Sequence, residues 1–219
     1  MATIDSFEKL HKAIQSFGRV TVIYRGVRKA TYDLVPKIGR YTNFTPTTIE
    51  KTERWMLRTL KERAIPYLTY HPSTDWEWLA LAQHHGMPTR LMDWSRNPLV
   101  AAFFAVEKEH DGDSVIYAYV KNKHVGINKY PDPFSYHGVG RFIPRHVTTR
   151  ITAQAGVFTI HSAPITPFDS SKVHKLIVKK KFREDLKHTL FQYGINRSTL
   201  FPDLDGLCAH IEWMKTDIY

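Results

Sequence analysis

The spacing of apolar residues divides the chain into helical and strand-like stretches. Phe7, Leu10 and Ile14 recur every three or four positions, which predicts a helix over residues 5–16. Val22 and Ile23 belong to a β-branched run, which predicts a strand over residues 19–27. The same criteria predict helices over residues 47–63, 74–85, 97–105, 183–193 and 207–215, strands over residues 114–120, 157–161 and 175–179, and an extended segment over residues 88–94.

Several predicted helices carry recognisable end signals. Thr47 with Glu50, and Thr74 with Glu77, fit the capping-box pattern at two helix starts. Gly86 follows the third helix, at the position where glycine commonly ends a helix. Because helices and strands mix without regular strand–helix–strand alternation, we predict an α+β fold with a central mixed or antiparallel sheet and flanking helices.

Composition indicates a folded protein of one domain. Apolar residues make up 42% of the chain and aromatic residues 13%, which excludes a disordered chain. No repeat, linker or low-complexity tract divides the sequence, so we predict a single domain over residues 1–219. Cys208 is the only cysteine, which excludes an internal disulfide and favours the reducing cytoplasm.

The charge balance favours an anionic partner. The chain has 31 Lys and Arg against 21 Asp and Glu, a net charge of +10 with neutral histidines. Such a balance suits nucleic acid, a nucleotide or a membrane surface. No apolar run approaches the roughly 18 to 20 residues of a membrane span, and we expect no membrane partner. Lysines at 121, 123 and 179–181 fit a nucleic-acid surface, although a solvated strand end is the plainer interpretation.

A first candidate site lies at the end of the strand predicted over residues 19–27. Arg25 carries a planar, permanently charged guanidinium that can hold a phosphate or a ribose edge. Gly26 would allow a close approach of backbone or ligand. The alternative is an arginine that only forms a salt bridge at a strand end.

A second candidate site is the dense block from His84 to Ser95. It places His85, Thr89, Arg90, Asp93 and Trp94 at a helix end and in the extended segment that follows, where binding loops are commonly built. Adjacent histidines face different directions on a helix, so we expect no metal site. Other roles remain open: helix capping or an ion pair with Arg90 for Asp93, and core packing for Trp94.

A third candidate site surrounds Gln154, which precedes Gly156 and an apolar strand that holds Phe158. A glutamine amide can bind a sugar hydroxyl through either its oxygen or its nitrogen. The alternative is a turn residue that satisfies local backbone groups. Farther along, Asp203 and Asp205 precede a predicted helix, where aspartate most often acts as a cap.

Taken in order, these motifs resemble the FRG domain, a family named for a Phe-Arg-Gly motif, with Tyr24 here in place of the phenylalanine. The resemblance covers residues 19–212, nearly the whole chain. It rests on four blocks: Tyr24-Arg25-Gly26, His85-Gly86-x-Pro-Thr-Arg90-Leu-x-Asp93-Trp94, Gln154-x-Gly156-x-Phe158 and Leu200-Phe201-Pro202-Asp203-Leu204-x-Gly206-Leu207.

The order of the blocks also resembles the three-part pattern of ADP-ribosyltransferases. In that superfamily the first strand carries an Arg or His that holds NAD, and Arg25 matches it. Residues 91–105 match the second element, with residues 93–95 in the usual Ser-Thr-Ser place. Gln154 falls near the usual catalytic glutamate, followed by Gly156 and Phe158. A glutamine cannot ionise, so this position departs from the superfamily's carboxylate base.

The resemblance implies a role for each candidate residue and an ADP-ribosyltransferase-like fold. It makes NAD the co-substrate and implies that Arg25 and Gln154 lie on neighbouring central strands and face one cleft. We expect the Asp93 carboxylate to pair with Arg90, His85 or Arg25. The implied catalytic residues are Arg25, Gln154 and His85, and the implied cofactor-binding residues are Arg25, Gly26, Thr89, Arg90, Asp93, Trp94 and Phe158.

The implied function is transfer of ADP-ribose from NAD to nucleic acid or protein. By analogy, the protein would act as a toxin or antiphage effector, with an antitoxin or immunity partner that neutralises it. Two alternatives remain: a non-catalytic module that binds nucleotide or nucleic acid, and an enzyme of the RNA 2′-phosphotransferase type, whose sites rely on Arg and His.

Overall fold

The computed structural model describes residues 1–68, 70–144 and 148–216 and has an α+β architecture. Its centre is a sheet of seven strands in the order β1-β7-β4-β2-β3-β6-β5, with helices against it. The strands are β1 (Ala2–Ile4), β2 (Val22–Val27), β3 (Leu91–Ser95), β4 (Ser114–Val120), β5 (Val139–Phe142), β6 (Gly156–His161) and β7 (Val173–Val178). The helices are α1 (Phe7–Gln15), α2 (Pro46–Arg63), α3 (Asp75–His84), α4 (Pro98–Val106), α5 (Thr149–Ala153), α6 (Arg183–Gln192), α7 (Arg197–Leu200) and α8 (Leu204–Thr216).

The sheet is mixed, which is one of the two arrangements that the sequence predicts. Strands β1 and β7 pair in parallel, and the other neighbours in the sheet pair antiparallel. The predicted helices and strands are all present, with ends displaced by a few residues. The capping box of α2 differs: Thr45 caps this helix with Thr48, instead of Thr47 with Glu50. Strands β1 and β5 and helices α5 and α7 are additions that the apolar pattern does not predict.

A gap divides the sheet near its middle. Strand β2 pairs with β4 at six positions, and β3 pairs with β6 at five. Between β2 and β3, only Tyr24 and Ser95 are paired. Past this pair the two strands separate, beside Arg25 on β2 and Asp93 on β3. The split therefore brings two of the motif residues to the edge of the same gap.

Gly26 allows the apolar helix α4 to pack directly on β2. A Cβ atom at Gly26 would lie 1.8 Å from the carbonyl oxygen of Ala101 and 2.6 Å from the backbone nitrogen of Ala105. Both atoms belong to the backbone of α4, so a rotamer change cannot relieve the overlap. The glycine of the Tyr24-Arg25-Gly26 motif is therefore required for the position of the helix.

Gly26→Ala should lower the free energy of unfolding by at least about 3 kcal/mol. Overpacking usually costs about 1 to 3 kcal/mol, and the cost reaches or exceeds the upper value where the overlapping atoms belong to a backbone that cannot move aside. Urea unfolding measures this loss. Gly126→Ala is the matched control, because a Cβ there meets no atom within 4 Å. Equal stability of the two variants would contradict the packing role of Gly26.

Candidate functional site

A cavity of about 350 Å³ opens where β2 and β3 separate. Its walls come from these two strands, from the end of α3, from α4 and from the segment around α5. Arg25, Gly26, Asp93, Trp94 and Gln154, all predicted as site residues, line it together with Gln83, His84, Phe104 and Arg150. The structure thus gathers residues from three separate sequence blocks at one hollow.

Arg25 bridges the gap between the two strands. Its Nη1 atom donates a 2.6 Å hydrogen bond to the backbone oxygen of Asp93 and lies 3.7 Å from the Oδ2 atom of that residue. The prediction that the Asp93 carboxylate pairs with Arg90, His85 or Arg25 is confirmed, with Arg25 as the partner. Burial lowers the pKa of the Arg25 guanidinium and Asp93 opposes this shift, but an arginine keeps its charge at neutral pH.

The Asp93 carboxylate is held by a short chain of hydrogen bonds. The side-chain amide of Gln83 donates to Asp93 Oδ2 over 2.8 Å. The hydroxyl of Thr89 donates in turn to the Gln83 oxygen over 2.7 Å. Thr89, which was expected to bind cofactor, is fully buried, so it acts on the cavity only through Gln83. Asn97, and not Asp93, caps α4.

The histidine at the cavity is His84, although the sequence pointed to His85. His84 lines the hollow, whereas His85 lies at the end of α3 and lines a neighbouring depression. Adjacent residues on a helix point in different directions, which explains why only one of the pair reaches the cavity. Burial, followed by the positive fields of His85 and Arg150, lowers the pKa of His84, so its ring is neutral at pH 7.

Gln154 reaches the cavity but lies on no strand. It ends α5 just before β6, and β3 separates β6 from β2. The prediction that Arg25 and Gln154 occupy neighbouring strands is therefore wrong, whereas both line the same cavity as expected. The Gln154 amide nitrogen donates to the Leu200 carbonyl over 3.0 Å, which ties the cavity wall to α7.

Arg150 and Phe104, which are not among the predicted site residues, complete the wall. The Arg150 guanidinium lies 4.1 Å from the centre of the Phe201 ring and also borders the neighbouring depression. Burial lowers the pKa of Arg150 and Asp203 raises it. Phe104 is partly exposed and packs edge-on against Phe201. Together they add a cation and an aromatic surface to the cavity.

Arg90 does not reach the cavity, which corrects its assignment to cofactor binding. Its side chain is buried, and its Nε atom donates to Glu53 Oε2 over 2.8 Å. The Arg90 backbone nitrogen donates to the other Glu53 oxygen over 2.6 Å. The Phe134 ring lies 4.2 Å from the guanidinium carbon. Arg90 thus joins α2 to the start of β3 as a structural residue.

Trp94 and Phe158 are also core residues. The Trp94 ring is buried near Tyr119, and its indole nitrogen donates to the Thr159 hydroxyl over 2.8 Å. Phe158 is buried in the cluster beneath α3. Trp94 borders the cavity, but its ring packs in the core and its indole nitrogen is bonded to Thr159, so the ring is not free to bind the cofactor. The core alternative left open for Trp94 is the correct one.

Acid should destabilise the protein through His161, whose Nε2 atom lies 2.8 Å from the Thr159 hydroxyl. Burial, followed by the charge of Arg25, lowers the pKa of His161 to about 3. This folded-state value lies below that of an unfolded histidine, about 6.5. The stability that neutral His161 contributes is therefore complete above pH 6.5 and lost as the pH falls towards 3.

Chemical unfolding of His161→Gln and the wild type at pH 7 and pH 5 tests this contribution. Between pH 7 and pH 5 the free energy of unfolding should fall by about 2 kcal/mol less in His161→Gln than in the wild type. This difference is the contribution expected from proton binding to His161 in the unfolded state. His84 and His210, whose pKa values are also lowered, remain in both proteins and cancel in the comparison. Parallel declines in the two proteins would contradict the role of His161.

Features beyond the cavity bear on the expected partners. The lysine run after β7 is largely paired, because Lys179 contacts Asp113 and Lys180 contacts Asp111. In the described part of the chain, no three His, Cys, Asp or Glu residues are grouped to hold a metal ion. Over the same residues, no helix has the length and apolar character needed to cross a membrane.

The family model for the FRG domain matches residues 20–114, just under half of the chain. This match confirms the predicted FRG resemblance and includes β2, α3, β3 and α4, which form most of the cavity. It stops before Arg150 and Gln154, so the extension of the domain over residues 1–219 stays a prediction. No curated protein and no solved structure matches the chain.

Proposed function

We propose that the protein is an NAD-dependent ADP-ribosyltransferase and that the cavity between β2 and β3 is its NAD site. The observation that carries this proposal is the contact of Arg25 with Asp93, which places a cation and a carboxylate side by side in the split of the sheet. Arg25 matches the arginine that holds NAD in the superfamily that the chain resembles.

The charges of the cavity suit the charges of NAD. Nicotinamide in NAD carries a positive charge, and the pyrophosphate carries negative charge. The Asp93 carboxylate can face the nicotinamide, and the guanidinium groups of Arg25 and Arg150 can bind the pyrophosphate. Phe104 adds an aromatic surface for a planar ring. The Gln154 amide can bind a ribose hydroxyl.

The shape of the surface suits an extended ligand. The cavity volume of about 350 Å³ lies at the lower end of ligand pockets, which range from about 300 to 1,000 Å³. A neighbouring depression of about 540 Å³ shares His84 and Arg150 with it. We propose that the nicotinamide ribose occupies the cavity, that the pyrophosphate passes Arg150 and that the adenosine lies in the depression.

The acceptor in this proposal is nucleic acid or protein. The net charge of +10 favours nucleic acid, although the paired lysines after β7 weaken that surface as a binding site. By analogy, we propose a cytoplasmic toxin or antiphage effector that a dedicated antitoxin or immunity partner neutralises.

The test incubates the pure protein with NAD and measures the released nicotinamide by chromatography. The reaction is run without an acceptor and with DNA, RNA or protein added. We expect release that one acceptor class accelerates, with ADP-ribose attached to that acceptor. Absence of release with all acceptors, in a protein shown to be folded, would contradict the proposal.

A non-catalytic nucleotide-binding module is the second candidate. Gln154 favours it, because the position that resembles the catalytic glutamate carries no carboxylate. Saturable binding of NAD without release of nicotinamide would support this candidate. The hypothesis of an RNA 2′-phosphotransferase is weaker, because it depends on Arg and His residues in the site. Arg90 is buried against Glu53, and His85 lies outside the cavity.

A further inference from the structure

We infer that Asp93 is the carboxylate that faces the reacting ribose and takes the proton of the acceptor, in place of the glutamate that Gln154 replaces. This inference rests on the proposed function. Among the described residues that line the cavity, Asp93 is the only acidic one. A site that cleaves the bond between nicotinamide and ribose needs a negative charge beside the oxocarbenium-like state, and Asp93 is placed to supply it.

The Asp93 carboxylate is held in place but remains open to a ligand. Its side chain is 54% exposed, although it stands beside a guanidinium. The short hydrogen bond of Arg25 goes to the backbone oxygen of Asp93, at 2.6 Å, and the carboxylate lies 3.7 Å from the same nitrogen. Arg25 therefore fixes the strand without occupying the carboxylate in a two-pronged ion pair.

Gln83 and Thr89 act as positioning residues for this carboxylate. The backbone nitrogen of Leu91 donates to the Thr89 hydroxyl oxygen over 3.1 Å, so that hydroxyl directs its own proton to the Gln83 oxygen. With its oxygen taken, the Gln83 amide must present its NH₂ group to Asp93, at 2.8 Å. The chain Thr89–Gln83–Asp93 thus sets the direction of the carboxylate from the buried side.

The chemical step uses these groups as follows. The bond between ribose C1′ and the nicotinamide nitrogen breaks, and its electron pair stays on that nitrogen, so nicotinamide leaves neutral. The Asp93 carboxylate faces the positive charge on the ribose. The acceptor O–H or N–H group bonds to C1′, and its proton passes to Asp93 and then to water. Atoms and charge balance without an oxidant or a metal.

Asp93→Asn tests this role, because an asparagine oxygen can still accept from Gln83 while the charge is lost. We expect release of nicotinamide to fall by about 100-fold or more, the lower limit of general acid–base effects, while ADP-ribose binding stays within threefold of wild type. Asp169→Asn, an exposed aspartate in the loop after β6, is the matched control and should retain full activity. A rate for Asp93→Asn within threefold of wild type would overturn the inference.

A binding measurement separates this inference from the proposed function. Its probes are ADP-ribose and an ADP-ribose analogue whose ribose ring is a protonated pyrrolidine, which mimics the cationic state without reacting. The wild type should bind the cation at least about tenfold more tightly, and Asp93→Asn should lose this preference. If the wild type prefers the cationic analogue but releases no nicotinamide, the proposed transferase activity is wrong and the role of Asp93 in facing a cation stands. A wild type without this preference, or without binding of either probe, overturns the inference.

Gln83→Leu tests the positioning chain. Removal of the amide frees the carboxylate to rotate, so kcat should fall by about tenfold while KM for NAD stays within twofold. A purely structural role for Gln83 would lower the thermal midpoint and raise KM instead, and that result would remove Gln83 from the positioning chain.

Discussion

Replacing Arg90 with alanine should lower the free energy of unfolding by about 3 to 5 kcal/mol, the cost of breaking a buried ion pair from one side. Both side chains of the pair are almost fully buried, and Glu53 accepts from Arg90 through both of its oxygens. The variant keeps the backbone donor but leaves a buried carboxylate without its cation. Burial already raises the pKa of Glu53, and Arg90 opposes this shift. Urea unfolding at pH 7 measures the loss.

Two further variants show whether the loss comes from the orphaned charge. Arg58→Ala, on the exposed side of α2, should change the free energy of unfolding by less than about 0.5 kcal/mol. The double variant Arg90→Met with Glu53→Met should recover part of the loss, because no buried charge is left unpaired. The recovery should be incomplete, because the backbone nitrogen of residue 90 loses the Glu53 oxygen as its acceptor. A double variant less stable than Arg90→Ala would show that the contribution of the pair is not limited to mutual neutralisation.

Arg25→Ala should reduce release of nicotinamide from NAD by about 100-fold while the protein remains folded. Charge-assisted hydrogen bonds contribute about 1.5 to 3 kcal/mol each, which is roughly a 10- to 100-fold loss, and a misplaced ribose adds to it. The stability cost should be small, about 1 kcal/mol, because one hydrogen bond to the Asp93 carbonyl is lost from a side chain that is 20% exposed.

Arg19→Ala is the control for Arg25→Ala, because Arg19 is exposed just before β2. It should retain both activity and thermal midpoint. Arg25→Ala with full activity would contradict the proposed role of the strand arginine. A collapsed melt of this variant would instead assign Arg25 to the fold, as a residue that joins β2 to β3 across the gap.

Local patterns predicted most of the fold. Helices such as α4 carry apolar runs and a capping Asn97 that are visible in a short window of sequence. Strand β1 has three residues and α7 has four, too few to establish a period. Helix α5 and the position of Gln154 at its end depend on contacts with α7, more than 40 residues away, which no local pattern contains.

Only a part of the candidate site was predicted, because some of its contacts join residues that are distant in sequence. Asp93 and Trp94 are neighbours on β3, and successive side chains of a strand point to opposite faces, so alternation alone argues against both of them facing one ligand. That signal was present in the sequence. No signal in the sequence indicated the partner of Arg90, because Glu53 lies 37 positions away on another element. Phe104 gave no distinct signal within an apolar helix.

A crystal structure of the protein with a non-hydrolysable NAD analogue tests the central claim most directly. We expect the nicotinamide ribose to lie in the cavity between β2 and β3, beside the Asp93 carboxylate, and the pyrophosphate to lie beside Arg150. An analogue bound elsewhere, for example in the separate hollow lined by His110 and Trp213, or an empty cavity at saturating analogue, would contradict it.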